Sequence, residues 1–171
     1  MSQTKQTVYM GLLVGIALIL SLVERAIPLP VPIPGAKLGL ANVVTLVAIY
    51  TLDKKDVPKI IFARVVLGAI FGGNASMVMY SLTGGIFSFV AMLAMKSIFA
   101  DKVSIIGVSA VGAVFHYIGQ VIVAILVLES LSIIIYLPVL SIVGVIMGVF
   151  VGHISNYTLY YIYLGGKMYE K

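Results

Sequence analysis

Hydrophobic positions in this chain fall in long unbroken runs rather than in alternation. Val121 to Leu128 is apolar at every position, and Val8 to Val23 is nearly so. Spans of a membrane β-barrel alternate apolar with polar residues, so continuous runs predict helices. The runs give helix 1 over about Thr7–Ile27, helix 2 over Lys37–Leu52 and helix 3, a short one, over Pro58–Phe71. Helix 4 follows over Ser76–Phe99, helix 5 over Ser104–Leu128 and a long helix 6 over Leu137–Leu164. Between helices 1 and 2 lies Pro28-Leu-Pro-Val-Pro-Ile-Pro-Gly35, with proline at every second position. That stretch excludes helix and predicts an extended, stiff backbone. Asp53-Lys-Lys-Asp-Val-Pro-Lys59 is a polar turn, with proline suited to the first turn of helix 3,.

Composition agrees with a membrane solvent. Hydrophobic residues make up 61% and charged residues 10% of 171 positions, where a soluble domain carries about 25% charge. Six spans of roughly 20 residues fill nearly the whole chain. The expectation is therefore a single transmembrane domain over 1–171, an all-α integral membrane protein built as a six-transmembrane-helix bundle, with no room for a soluble catalytic domain. Helix 1 resembles a signal peptide in length, but it lacks a small-residue cleavage site and ends in Glu24-Arg25, so it is read as retained,. With no cysteine, disulfides and thiolate metal sites are excluded,.

The charges give an orientation. In a six-span arrangement Lys5, Lys54, Lys55, Lys59, Arg64, Lys96, Lys102, Lys167 and Lys171 share one side, and only Arg25 and Lys37 the other, nine against two. By the positive-inside rule both termini are cytoplasmic, in a multi-pass protein of the cell membrane. A five-span alternative, with the proline stretch and helix 2 as one re-entrant element, puts Lys167 and Lys171 outside and violates that rule. The net charge of +5 is accounted for by topology and calls for no nucleic-acid partner,.

Polar side chains within apolar runs need a reason in a membrane. Lys37 and Asn42 in helix 2, Asn74, Tyr80 and Ser81 at the start of helix 4, and His116 and Gln120 in helix 5 group at one depth, with Glu129 and Tyr136 at the last outer loop. His116 and Gln120, four residues apart, share one helix face. Together these residues form a candidate pocket for a small molecule, roofed by the proline stretch. Each has a plainer role open to it. Asn42 and Ser81 also suit bonds to a neighbouring backbone, His116 a neutral core position, and Lys37 the interface. Arg64 either snorkels to the border or faces the bundle and pairs with a ligand anion. His153 and Asn156 suit helix packing, and Tyr157, Tyr160, Tyr161 and Tyr163 an interfacial aromatic belt. Glycines at four-residue spacing, including Gly144, Gly148 and Gly152, suit close helix packing, while Gly11 and Gly15 on helix 1 offer a face for an external partner,. No phosphate-binding loop is present, and of the six acidic residues only Asp53 and Asp56 lie close together,. No catalytic residues, metal site or cofactor are assigned, and a stand-alone enzyme is not expected.

Pro32-Ile-Pro-Gly-Ala-Lys-Leu-Gly-Leu-Ala-Asn-Val-Val-Thr-Leu46 resembles the family known both as Gx transporter proteins and as heptaprenyl diphosphate synthase component I. Arg64-Val-Val-Leu-Gly68, Tyr80-Ser-Leu-Thr-Gly-Gly-Ile-Phe-Ser88 and His116-Tyr-Ile-Gly-Gln120 extend the resemblance along essentially the full chain. That family looks like a relative of the substrate-binding S components of energy-coupling factor (ECF) vitamin transporters. The resemblance implies a six-helix, S-component-like fold, with an outward-facing site for a vitamin-like solute, a flavin or related compound first. It also implies docking through Gly11 and Gly15 to a transmembrane coupling subunit that works with ATPase subunits. Its other name implies instead an accessory membrane subunit of a heptaprenyl diphosphate synthase, not a catalytic one, since no aspartate-rich diphosphate–magnesium motif is present.

Overall fold

The computed structural model describes residues 2–27, 39–71, 75–99 and 102–169, and of Arg25, Ala75 and residues 165–169 the backbone alone. These residues form six α-helices: α1 (Gln3–Arg25), α2 (Asn42–Thr51), α3 (Val57–Ile70), α4 (Ala75–Phe99), α5 (Ile105–Leu128) and α6 (Leu137–Tyr169). A 3-10 turn at Leu131–Tyr136 leads into α6. The all-α membrane bundle is as expected, but the six spans are not. Among the described residues four helices, α1, α4, α5 and α6, are long and apolar enough to cross a bilayer. With 10 and 14 residues, α2 and α3 rise only about 15 and 21 Å, short of a hydrocarbon core of ~30 Å.

The shortness of α2 has a local cause. Gly39 takes φ +87, a left-handed conformation that glycine adopts without strain,. The chain then enters α2 through one tight turn, with Asn42 N–H donating to Gly39 O (2.9 Å), Val43 to Leu40 O (3.1 Å) and Val44 to Ala41 O (3.2 Å). The helix expected from Lys37 therefore starts at Asn42, and residues 28–38, with the proline stretch and Lys37, lie outside the described residues. Every residue of α2 from Asn42 to Ile49 is buried. A helix apolar on all sides belongs in the centre of a bundle, and α2 packs against α1, α3, α4 and α6. Its run of apolar residues reflects protein on every side rather than lipid.

At one end of the bundle, here the base, three helices close on the C-terminal end of α2 and the turn after it. Tyr9 OH of α1 donates to Thr51 Oγ1 (3.2 Å), Lys96 Nζ of α4 to Ile49 O (2.9 Å), and Tyr163 OH of α6 to Tyr50 O (3.2 Å). Gln6 Nε2 donates to Asp56 Oδ2 in the α2–α3 turn (2.6 Å). Last-turn carbonyls of a helix have no partner within it, and Lys96 and Tyr163 supply two of those partners. Lys96 also lies 4.0 Å from the centroid of the Tyr50 ring, a cation–π contact,. The start of α1 and the last turns of α6 thus share one end, which the five-span alternative does not allow.

Close helix packing follows the glycines. A Cβ at Gly148 would stand 2.5 Å from Ala110 Cα, and one at Gly152 2.7 Å from Ile106 Cα, so α6 lies backbone to backbone on α5,. At Gly119 a Cβ would meet Thr83 O at 2.9 Å, bringing α5 equally near α4. Gly11 and Gly15 differ, with nothing within 4 Å of either position. Only 17% of the α1 span is buried against 50% of α5, so α1 rides on the bundle edge with Val8, Leu12 and Ile19 facing outward.

Candidate functional site

A buried polar site lies toward the end away from the base. Glu24, in the last turn of α1, is 4% exposed. Its Oε1 accepts the backbone N–H of Gly39, so the end of α1 is tied to the entry of α2. Arg64 is 6% exposed. It sits seven residues into α3, which climbs from the base by about 10 Å over that distance. The sequence left it open whether Arg64 snorkels to the border or faces inward, and the structure has it facing inward. This removes Arg64 from the basic group at the base. Glu24 and Arg64 line one cavity of about 20 Å3 together with Ser21, Gly39, Ser81 and His116, and their charges interact.

Small residues make room for these groups. A Cβ at Gly85 would stand 3.1 Å from Arg64 Nη2, and one at Gly84 3.0 Å from His116 Nδ1. Side chains at these two places would press on the guanidinium and the imidazole. Gln120 Nε2 lies 2.9 Å from His116 Nε2. Several buried polar atoms have no hydrogen-bond partner among the described residues: Nε and Nη2 of Arg64, Oδ1 and Nδ2 of Asn42, and the hydroxyls of Tyr80 and Tyr117. A buried donor left unpaired costs about 1–3 kcal/mol, more when it is charged.

Of the residues singled out in the sequence, Arg64, Ser81 and His116 line the cavity. Asn42 stands beside them, because a Cβ on Gly39 would meet Asn42 Nδ2 at 3.1 Å and His116 Cδ2 at 3.7 Å. Gln120 supports His116 from one turn away without lining the cavity. Tyr80 does not line the cavity. It packs with Tyr117, Val121 and Leu140 in an apolar cluster that Tyr136 joins from its edge. Glu129 is exposed and ends α5 in a left-handed conformation. Asn74 and Lys37 lie outside the described residues. Glu24 was missed by sequence reasoning, which took Glu24-Arg25 for the border of the first helix. The available signal was a carboxylate with no lysine or arginine one helical turn before it to neutralise it. Among the described residues no group of three or more His, Asp or Glu stands ready to hold a metal.

The family model described as heptaprenyl diphosphate synthase component I matches residues 13–158 of the chain, a stretch that contains every residue lining the cavity. No curated protein and no solved structure shows significant similarity to it.

Proposed function

Because the chain belongs to the heptaprenyl diphosphate synthase component I family, we propose that it is a non-catalytic membrane subunit that binds a small polar ligand at Arg64 and acts through a partner protein. One observation carries the ligand site. A guanidinium 6% exposed keeps two N–H groups without a partner among the described residues, beside a buried carboxylate. A charge in that position is costly, and a ligand that completes its hydrogen bonds accounts for its being there. The basic residues of the base, with Lys5, Lys54, Lys55 and Lys59 among them, support a base facing the cytoplasm and a ligand site facing outward.

The family description supports a prenyl diphosphate synthase as the partner. The product of such an enzyme carries a long apolar chain that partitions into lipid, and a membrane subunit beside the enzyme meets it there. On this reading the partner performs the condensation. Deleting the protein is expected to shorten or deplete the cell's isoprenoid quinone side chains, and a tagged copy to retain the soluble synthase. Unchanged quinones together with no retained synthase would refute it.

A second reading rests on Gly11 and Gly15, which lie on an outward stretch of α1 with open space around both. This supports an S-component role, with α1 docking to a coupling subunit that serves two ATPases and the cavity taking up a vitamin-like solute. Gly11→Leu with Gly15→Leu is expected to abolish both ATPase copurification and uptake while leaving the fold intact. Both activities unchanged would exclude it. The two readings share the ligand site and differ in the partner.

A further inference from the structure

Resting on the ligand-site reading above, we infer that the ligand of the Arg64 cavity is zwitterionic and amino-acid-like, giving a carboxylate to Arg64 and an ammonium to Glu24, and is not a diphosphate. The charge balance of the site is the first ground. Among the described residues, the charged side chains lining the cavity are one acid and one base, 4% and 6% exposed. Their sum is zero. A zwitterion preserves that sum, the condition under which buried charge is tolerated. A diphosphate adds several negative charges beside the Glu24 carboxylate, and like charges in a low dielectric repel strongly.

The shape of the arginine is the second ground. Nε and Nη2 form one edge of the guanidinium, and both lack a partner among the described residues. Two parallel N–H groups on one edge match the two oxygens of a single carboxylate. Gly85 is what leaves space for that edge, since a Cβ there would stand 3.1 Å from Nη2 and 3.0 Å from Ile61 Cγ2. Asn42 is the third ground. It is 2% exposed and offers an NH2 and a carbonyl without partners among the described residues, next to Gly39. A donor and an acceptor side by side complement a ligand head that contains both. At about 20 Å3 the cavity holds little more than one water,, so a ligand of this size enters only as the surrounding helices part.

The test is thermal unfolding of the full chain in lipid nanodiscs with each of the standard amino acids in turn. Acetate, methylammonium, inorganic diphosphate and isopentenyl diphosphate serve as comparison probes. At least one amino acid is expected to raise the melting temperature by mass action, while acetate and methylammonium alone do not. Its affinity is expected to fall about tenfold or more in Glu24→Gln and in Arg64→Lys, where the two-pronged contact is lost. Gly85→Ala keeps every charge and presses on the guanidinium and on Ile61 Cγ2, so a similar fall there with the unliganded melting temperature unchanged excludes misfolding as the cause. Stabilisation by a diphosphate, lost in Arg64→Lys, with none from any amino acid, would overturn the zwitterion and leave the ligand site standing. No stabilisation by any probe would overturn both. An amino acid that stabilises wild type and variants alike binds elsewhere and would also overturn the inference.

Discussion

Removing the charges of the buried site singly and together separates a binding site from a structural ion pair. Arg64→Met deletes the guanidinium, keeps most of the side-chain volume, and leaves Glu24, 4% exposed, without its counter-charge. The two groups line one cavity and interact electrostatically, and removing one of two interacting buried charges costs up to about 3–5 kcal/mol. Glu24→Gln does the reverse, stranding Arg64 at 6% exposure, for a similar cost. Gln keeps the carbonyl oxygen that accepts the Gly39 N–H, so the tie between α1 and α2 survives. The double variant contains neither charge, and replacing a buried pair by uncharged groups of like volume is neutral or stabilising by about 1–4 kcal/mol. The singles therefore sum to up to about 6–10 kcal/mol, the double is expected near wild type or above, and the coupling is up to several kcal/mol. The assay is unfolding of wild type, both singles and the double, side by side in one detergent without ligand, followed by ligand binding of the double. Recovery of stability with complete loss of binding is the expected outcome. A double variant as unstable as the sum of the singles would refute the reasoning, because the pair would then be holding the fold.

Other sites give independent checks. Gly148→Leu is expected to destabilise the bundle by about 1–3 kcal/mol or more through overpacking, since a Cβ there stands 2.5 Å from Ala110 Cα, while Gly11→Leu leaves the melting temperature unchanged. Lys96→Met removes the bond to Ile49 O and the contact with the Tyr50 ring, with an expected loss of about 1–3 kcal/mol in the same assay. The hydrogen bond from Lys59 holds the Asp56 carboxyl below its ordinary range, against the opposing effect of burial. A carboxyl so lowered adds stability above its unfolded pKa, and that stability is lost as pH falls through the folded value. The melting temperature is therefore expected to drop in acid below about pH 4, with a shallower drop in Asp56→Asn.

The long spans were legible because an uninterrupted apolar run of about twenty residues matches the thickness of a bilayer core. Helices α2 and α3 were misread as spans for a physical reason. An apolar run of 10–14 residues looks the same whether its surroundings are lipid or protein, and α2 is enclosed by four other helices. The start of α2 depends on the left-handed Gly39, and no periodicity marks one glycine among 17 as the one that turns. At the site, Asn42, Arg64, Ser81 and His116 were legible because polar groups in apolar runs stand out. Tyr80 was grouped with Ser81 by depth alone, and depth does not fix the face, since adjacent helical residues point to different faces. Glu24 was hidden because its bond to Gly39 spans 15 residues and its charge partner Arg64 lies on another helix.

The most direct test of the ligand site is native mass spectrometry of the detergent-purified chain beside its Arg64→Met variant, with bound small molecules released and identified. One small molecule per chain in the wild type, absent from the variant, is the expected result. A bare chain in both, or the same molecule retained by both, would contradict a ligand site at Arg64.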